Sequence, residues 1–300
     1  MSSLELAIIK TLTWFDLFNQ PLTTWEVWFY LWDESGNLGK VNQSDILLVL
    51  EKLAADNLIT GNLGYWQLAA SPNYVPERLQ RLRWTINKRR RAKQAVRLIK
   101  HLPFIRLVGL VNTAAFDMAG RDSDIDFFII TESGRIFTAR FLVTSLMQFL
   151  GWRRHSKLVS NRICLSFYLT DDNLNLQPLA YKDDPYLRFW LASLQVLYDD
   201  GVYSSLLAAN SWLNRELPNW PAVVTKERPA VRVTPLARSS ILERVLEKFQ
   251  MYLISRHQDS RLGDGSTAVL ASRQILKFHE SDVRQELAQR FRESLIKIIT

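Results

Sequence analysis

A single cysteine, Cys164, stands among 300 residues. That scarcity excludes an internal disulfide framework and a zinc site built from cysteines, and it fits a reducing compartment. Histidine is almost as sparse: His101, His155, His257 and His279 fall with no spacing that suits a shared metal. No apolar run approaches the roughly 20 residues that span a bilayer. The opening MSSLELAIIKTLTWFDLF lacks the basic stretch of a secretory signal and alternates as an amphipathic helix does. A cytoplasmic chain with no membrane partner is therefore expected. There is no internal repeat and no low-complexity tract. Acid is in deficit, 30 Asp and Glu against 38 Lys and Arg, for a formal net charge of +8. The surplus suits a polyanionic partner such as nucleic acid or a nucleotide, and it equally suits ordinary solubility charge.

What is present is material for cores. Hydrophobic residues make up 47% of the chain, with 10 Trp and 15 Phe, which argues against disorder. The fold class expected is α/β (α+β): a small mixed sheet with flanking helices, an N-terminal helical unit with a hairpin, and a C-terminal helical region. Residues 1–75 read as three helices and a hairpin, with Thr23 and Glu26 as a capping box and a hairpin signal around Gly61, Asn62 and Gly64. That is the element order of a winged helix. Its third helix carries Asp45, Glu51 and Asp56 against one cation, Lys52, which disfavours DNA as its partner. Residues 76–103 read as a basic linker helix, with Leu79, Leu82, Ile86, Val96 and Ile99 as its inner face. Its cations form either a phosphate-facing surface or a solvated face, and the second is the reading taken. Residues 104–217 read as the α/β core, with strands at FIRLVGLV, DIDFFIIT and RICLSFYLT and a helix at GRIFTARFLVTSLMQFL. Four prolines mark 218–237 as a linker, and 238–300 as helical: a helix capped by Ser240 and Glu243, a turn at Gly263–Gly265, then helices near 267–277 and 281–298.

The stretch GRDSDIDFFII poses the chemical question. On a strand, residues two apart share a face, so Asp124 and Asp126 project together. Two adjacent carboxylates repel and lose hydration, and a divalent cation relieves both costs. Hard oxygen ligands suit Mg2+, which binds through one or two carboxylates plus substrate phosphates. The plain alternative is that RDSD is only a turn. The context favours the metal: a buried strand, a polar turn at Asn112-Thr113, a small-residue segment AAFDMAG expected to open a short helix, then Asp-x-Asp on the next strand. Backbone N–H groups at such a turn can cradle phosphates.

In that order the stretch VNTAAFDMAGRDSDIDFFII resembles the nucleotidyltransferase superfamily, the polymerase-beta-like fold. The layout also resembles a bacterial group of nucleotidyltransferase-domain proteins with a winged-helix-like N-terminus, and WFDLFNQPLT, GRIFTAR, RICLSFYL and ILKFHESDVR look like its segments. The resemblance implies Mg2+ at Asp124 and Asp126, with a nucleoside triphosphate over Asn112, Thr113 and Ser123. It implies transfer of a nucleotidyl group to a hydroxyl of a protein, a nucleic acid or a small molecule. Asn112-Thr113 stand where the family has Gly-Ser; Asn tolerates the left-handed conformation and Thr keeps a hydroxyl. The third carboxylate of active members has no acidic counterpart on RICLSFYLT. Ser166 is assigned the equivalent position, with Ser160, Asp171 and Asp172 as alternatives. Serine is a poor Mg2+ ligand and no base near neutrality. A degenerate fold that binds nucleotide, nucleic acid or protein without turnover is therefore the second expectation. Arg140 is expected to pair within the core, and GDGS at 263–266 to be a turn.

Overall fold

The computed structural model describes residues 1–155, 157–181, 184–221, 241–258, 269–278 and 283–299. Most of the expected proline-rich linker, the Ser240 cap, the GDGS turn and His279 lie outside them.

The first unit runs α1 (Ser3–Asp16), β1 (Leu22–Thr23), α2 (Thr24–Phe29), α3 (Gln43–Ala55), β2 (Ile59–Asn62) and β3 (Tyr65–Leu68). Its antiparallel sheet has the order β1-β3-β2. The Thr23–Glu26 capping box is present at the start of α2. The long α4 (Val75–Ile99) follows. The second sheet begins with β4 (Ile105–Val111) and β5 (Ile125–Thr131), then α5 (Ile136–Phe149) and β6 (Ile163–Thr170). Next come α6 (Pro185–Ala192), β7 (Gln195–Asp199), α7 (Tyr203–Ala209) and α8 (Leu213–Glu216). The chain closes with α9 (Ile241–Gln258), β8 (Val269–Ala271), β9 (Ile275–Phe278) and α10 (Arg284–Ile299).

The fold is mixed α/β. Its six-stranded sheet has the order β7-β4-β5-β6-β9-β8. β4 is antiparallel to β5 and β7, β5 is parallel to β6, and β6 is antiparallel to β9. Both faces are covered. Val108, Leu110, Phe127 and Ile129 face a core shared with α4, α5 and Leu246 of α9. Leu107, Val111, Phe128 and Ile130 face the opposite core, shared with α1–α3, α6 and α10. Alternate residues thus point into two different cores, which is why these strands read as unbroken apolar runs.

Three expectations change. The stretch near 267–277 is not a helix: the described part is the β8–β9 hairpin, in which Leu276 opposes Tyr168 of β6. The apolar spacing of VLASRQILKF suits a helix as well as a strand, and the open edge of β6 decides. The basic helix is no spacer, since Ala92, Ala95, Val96 and Ile99 pack on the sheet. Its inner face also differs. Leu79 and Ile86 are 39% and 42% exposed, while Arg78 and Lys88 are buried. Small Ala92 and Ala95 let the helix pack on the sheet, and the two buried cations reach main-chain carbonyls. The segment after Asn112 forms one 3-10 turn, Asn112–Ala114, rather than a short helix. Among the described residues no helix is long and apolar enough to cross a membrane.

Candidate metal and nucleotide site

Asn112 opens the turn that leaves β4. Its φ is +58°, the left-handed conformation that asparagine adopts more readily than most residues. The loop from there to Asp124 is held from several sides. From α4, Arg89 donates to the carbonyls of Ala114 and Ala115, and Thr85 accepts from the Ala119 N–H. Gln20 bonds the Phe116 carbonyl and Gln195 the Ala115 carbonyl. Lys88, 1% exposed, donates to the Arg121 carbonyl at 3.2 Å, the Ser123 carbonyl at 2.7 Å and Asn161 Oδ1 at 3.0 Å. Burial lowers the pKa of this ammonium, and Asp124 and Asp122 act in the opposite direction. The charge-dense helix therefore spends Lys88 and Arg89 on the loop that carries the candidate site. Ser123 sits inside this bracing: its hydroxyl donates to the Gly120 carbonyl and its own carbonyl receives Lys88.

β5 then brings the carboxylates to the sheet. Asp126 lies opposite Val111 of β4 and opposite Cys164 of β6. Asp124, Asp126 and Cys164 each place a ligand atom within 4.8 Å of the others. The pairing skips from Asp126↔Cys164 to Phe128↔Phe167, so β6 spends one extra residue there. Ser166, assigned the third position, lies two residues beyond the residue that pairs with Asp126. The residue beside Asp126 is Cys164, and Ser166 is half-buried and hydrogen-bonded to the Cys164 thiol. The other candidates are further off. Ser160 is exposed and donates to the Arg121 carbonyl. Asp171 and Asp172 follow the far end of β6, where Thr131 opposes Thr170, roughly 20 Å along the strand. There Asp171 meets Arg106, which also pairs with Glu132 and Asp200.

The charge balance of the cluster holds a second surprise. Arg154, next to a bridge between Arg153 and Ile163, places Nη1 2.8 Å from Asp124 Oδ2 and 3.8 Å from the Cys164 sulfur. A guanidinium from the chain thus supplies part of the compensation expected of a metal. Burial and the neighbouring Asp124 push Asp126 up from 3.8 to about 7, while hydrogen bonds from Asn112 and Cys164 oppose the rise. Burial, then the two aspartates, raise the Cys164 thiol well above its usual range, so it serves as a hydrogen-bond donor and not as a thiolate. Two carboxylates suit a hard dication, and a protonated thiol adds nothing to it.

Asp126 makes stability pH-dependent in a definite direction. A carboxyl whose folded pKa lies above its unfolded value stabilises fully below the unfolded pKa. That contribution is lost as pH rises through the folded one, here between about 4 and 7. For a carboxylate that keeps some contact with solvent the loss is of order 2 kcal/mol. Asp126→Asn removes it. Urea unfolding at pH 4.5 and pH 8 is expected to show the variant gaining on wild type by about that amount at the higher pH. A difference that does not change with pH would show that Asp126 titrates normally.

The other residues singled out have structural places. Arg140, expected to pair within the core, donates instead to the neutral Gln250 at 2.6 Å and lies over the Phe278 ring, with no carboxylate partner among the described residues. His101 and His155 are exposed. Comparison of the chain with protein-family models, with curated proteins and with solved structures gave no match.

Proposed function

We propose that this chain is a Mg2+-dependent nucleotidyltransferase, taking a nucleoside triphosphate and passing a nucleotidyl group to a hydroxyl acceptor. The observation that carries the reading is the meeting of the β4 turn with the start of β5: the Asn112 side chain lies beside Asp126, and Asp124 places a carboxylate oxygen within 4.8 Å of it. Asp124 and Asp126 would hold Mg2+, which when bound offsets the charge of the triphosphate. The exposed Thr113 hydroxyl is available to a phosphate oxygen. The N–H groups of Ala115, Phe116 and Met118 are not, because they bond back to Asn112 and Thr113. The mixed sheet supports a nucleotidyltransferase core. The order of α1, β1, α2, α3 and the β2–β3 hairpin supports a winged-helix-like N-terminal unit, whose third helix keeps Asp45 and Glu51 exposed and so suits protein better than DNA.

One observation favours a second reading, a degenerate fold that binds without turnover. Arg154 occupies one oxygen of Asp124, and the third member of the cluster is a thiol rather than a carboxylate. Calorimetry with ATP, GTP, CTP and UTP, with and without Mg2+, tests both. Mg2+-dependent binding that disappears in Asp124→Asn is the expected result. Arg154→Met is expected to strengthen that binding about tenfold, because it removes a cation that competes for Asp124. No Mg2+-dependent binding in wild type or in Arg154→Met would leave the degenerate fold standing and end the transferase reading.

A further inference from the structure

A cavity of about 410 Å³ opens between the first unit and the core. It is bounded by the end of α1, by the Asn112–Gly120 loop and by α6. Protein interiors hold few voids of this size, and small-molecule sites are clefts of roughly 300–1,000 Å³ lined mostly by apolar and aromatic side chains. Its accessible wall is apolar and ringed: Leu17, Phe18, Phe116 and Tyr186 are half-buried around it. Behind them Trp14 stacks on Phe189 at 5.6 Å, and Phe18 meets Trp14 edge-on at 5.3 Å. The walls are therefore already ordered and need little rearrangement on binding.

The charge of the lining narrows the ligand. Among the described residues only Arg81 brings a charge to it, and that guanidinium is engaged by the Phe18 carbonyl at 2.7 Å and by the Glu77 carboxylate. A phosphate or carboxylate finds no free cation there. The neutral polar groups Asn19, Asn112 and Thr113 line it as well. Asn112 belongs to both places: its Oδ1 lies 3.3 Å from the Tyr186 hydroxyl, and its side chain also lies beside Asp126. Aromatic walls with a neutral polar edge fit a flat uncharged heterocycle.

We infer that this cavity receives the nucleobase of the nucleotide, an inference that rests on the nucleotide reading above. Phe18 and Tyr186 supply ring contacts, and the Asn112 side chain couples the bound base to the carboxylate pair.

Gly120 allows a gentle test. It lines the cavity, and a Cβ built on it meets nothing within 4 Å, so Gly120→Leu adds bulk at the cavity wall without a clash at its own Cβ. Phe18→Leu removes a ring while keeping the wall apolar. The probes are adenosine, guanosine, cytidine and uridine without Mg2+, then the matching triphosphates with it, all by calorimetry. The expected result is saturable binding of at least one nucleoside, weakened about tenfold or more by each variant. Such binding with no triphosphate binding at all would keep the cavity assignment and remove the transferase reading. Mg2+-dependent triphosphate binding that both variants leave intact would keep the transferase reading and overturn the cavity assignment. Failure of every nucleoside to bind wild type would also overturn it.

Discussion

Lys88→Met is expected to lower the unfolding free energy by about 3 kcal/mol, whereas Arg90→Met, on the same helix, changes it by less than about 0.5. The difference lies in what each cation touches. Arg90 is exposed on α4. Lys88 is buried and donates to three acceptors, the carbonyls of Arg121 and Ser123 and the side chain of Asn161. Hydrogen bonds from a charged donor contribute roughly 1.5–3 kcal/mol each; methionine leaves Asn161 Oδ1 unanswered and takes one of two donors from each carbonyl, since Ser160 still reaches Arg121 and the Asn161 N–H still reaches Ser123. Part of the loss is offset, since methionine removes the cost of burying an ammonium. The same substitution is expected to weaken any Mg2+-dependent nucleotide binding, because the loop it braces leads directly into Asp124. Urea unfolding of the two variants beside wild type decides the matter. Equal effects would mean that Lys88 is no brace.

Glu243→Ala is expected to cost a similar amount, about 3 kcal/mol, although Glu243 lies on α9 and far from the carboxylate pair. Its side chain is 3% exposed. Its carboxylate accepts from the Phe137 N–H at 2.8 Å and the Thr138 N–H at 2.9 Å, and also from the Thr138 hydroxyl. α5 begins after Arg135, which provides no side-chain cap, so an anion from another helix satisfies its first N–H groups and faces its positive end. Alanine leaves those donors buried and unmet, each costing on the order of 1–3 kcal/mol. Glu243→Gln keeps an acceptor at the same reach and is expected to lose about half as much. Chemical denaturation of the pair is the measurement. An alanine variant within about 0.5 kcal/mol of wild type would show that α5 finds its cap elsewhere.

These two residues mark where sequence reading stops. β4, β5 and β6 were legible because a sheet covered on both faces demands apolar residues at every position. The conformation of Asn112 was legible because few other side chains tolerate φ near +58°. The partners of Lys88 and Glu243 were not, since each reaches main-chain groups distant in the chain, and no periodicity encodes such a target. Arg154 was missed for a related reason: it lies in a segment without regular structure, and only the bridge to Ile163 carries it to Asp124. Cys164 was in plain view. The register that sets it beside Asp126 is not encoded by alternation along β6 alone. The β8–β9 hairpin failed as a helix because its residues obey a partner strand more than their own spacing.

That hairpin has a consequence for how the chain comes into being. β6 lies between β5 and β9, and β9 follows it by more than a hundred residues, since the main-chain bond from Thr170 goes to Gln274. During synthesis from the N-terminus, β4 and β5 can pair at once, and β6 can join them as soon as α5 has crossed over. For the time it takes to make the next hundred residues, at roughly 5–20 per second, the outer edge of β6 stays unpaired. An apolar strand with a free edge is a template for any other strand within reach. On a polysome the nearest such strand belongs to the neighbouring nascent chain, and β9 is the strand that closes this edge to it.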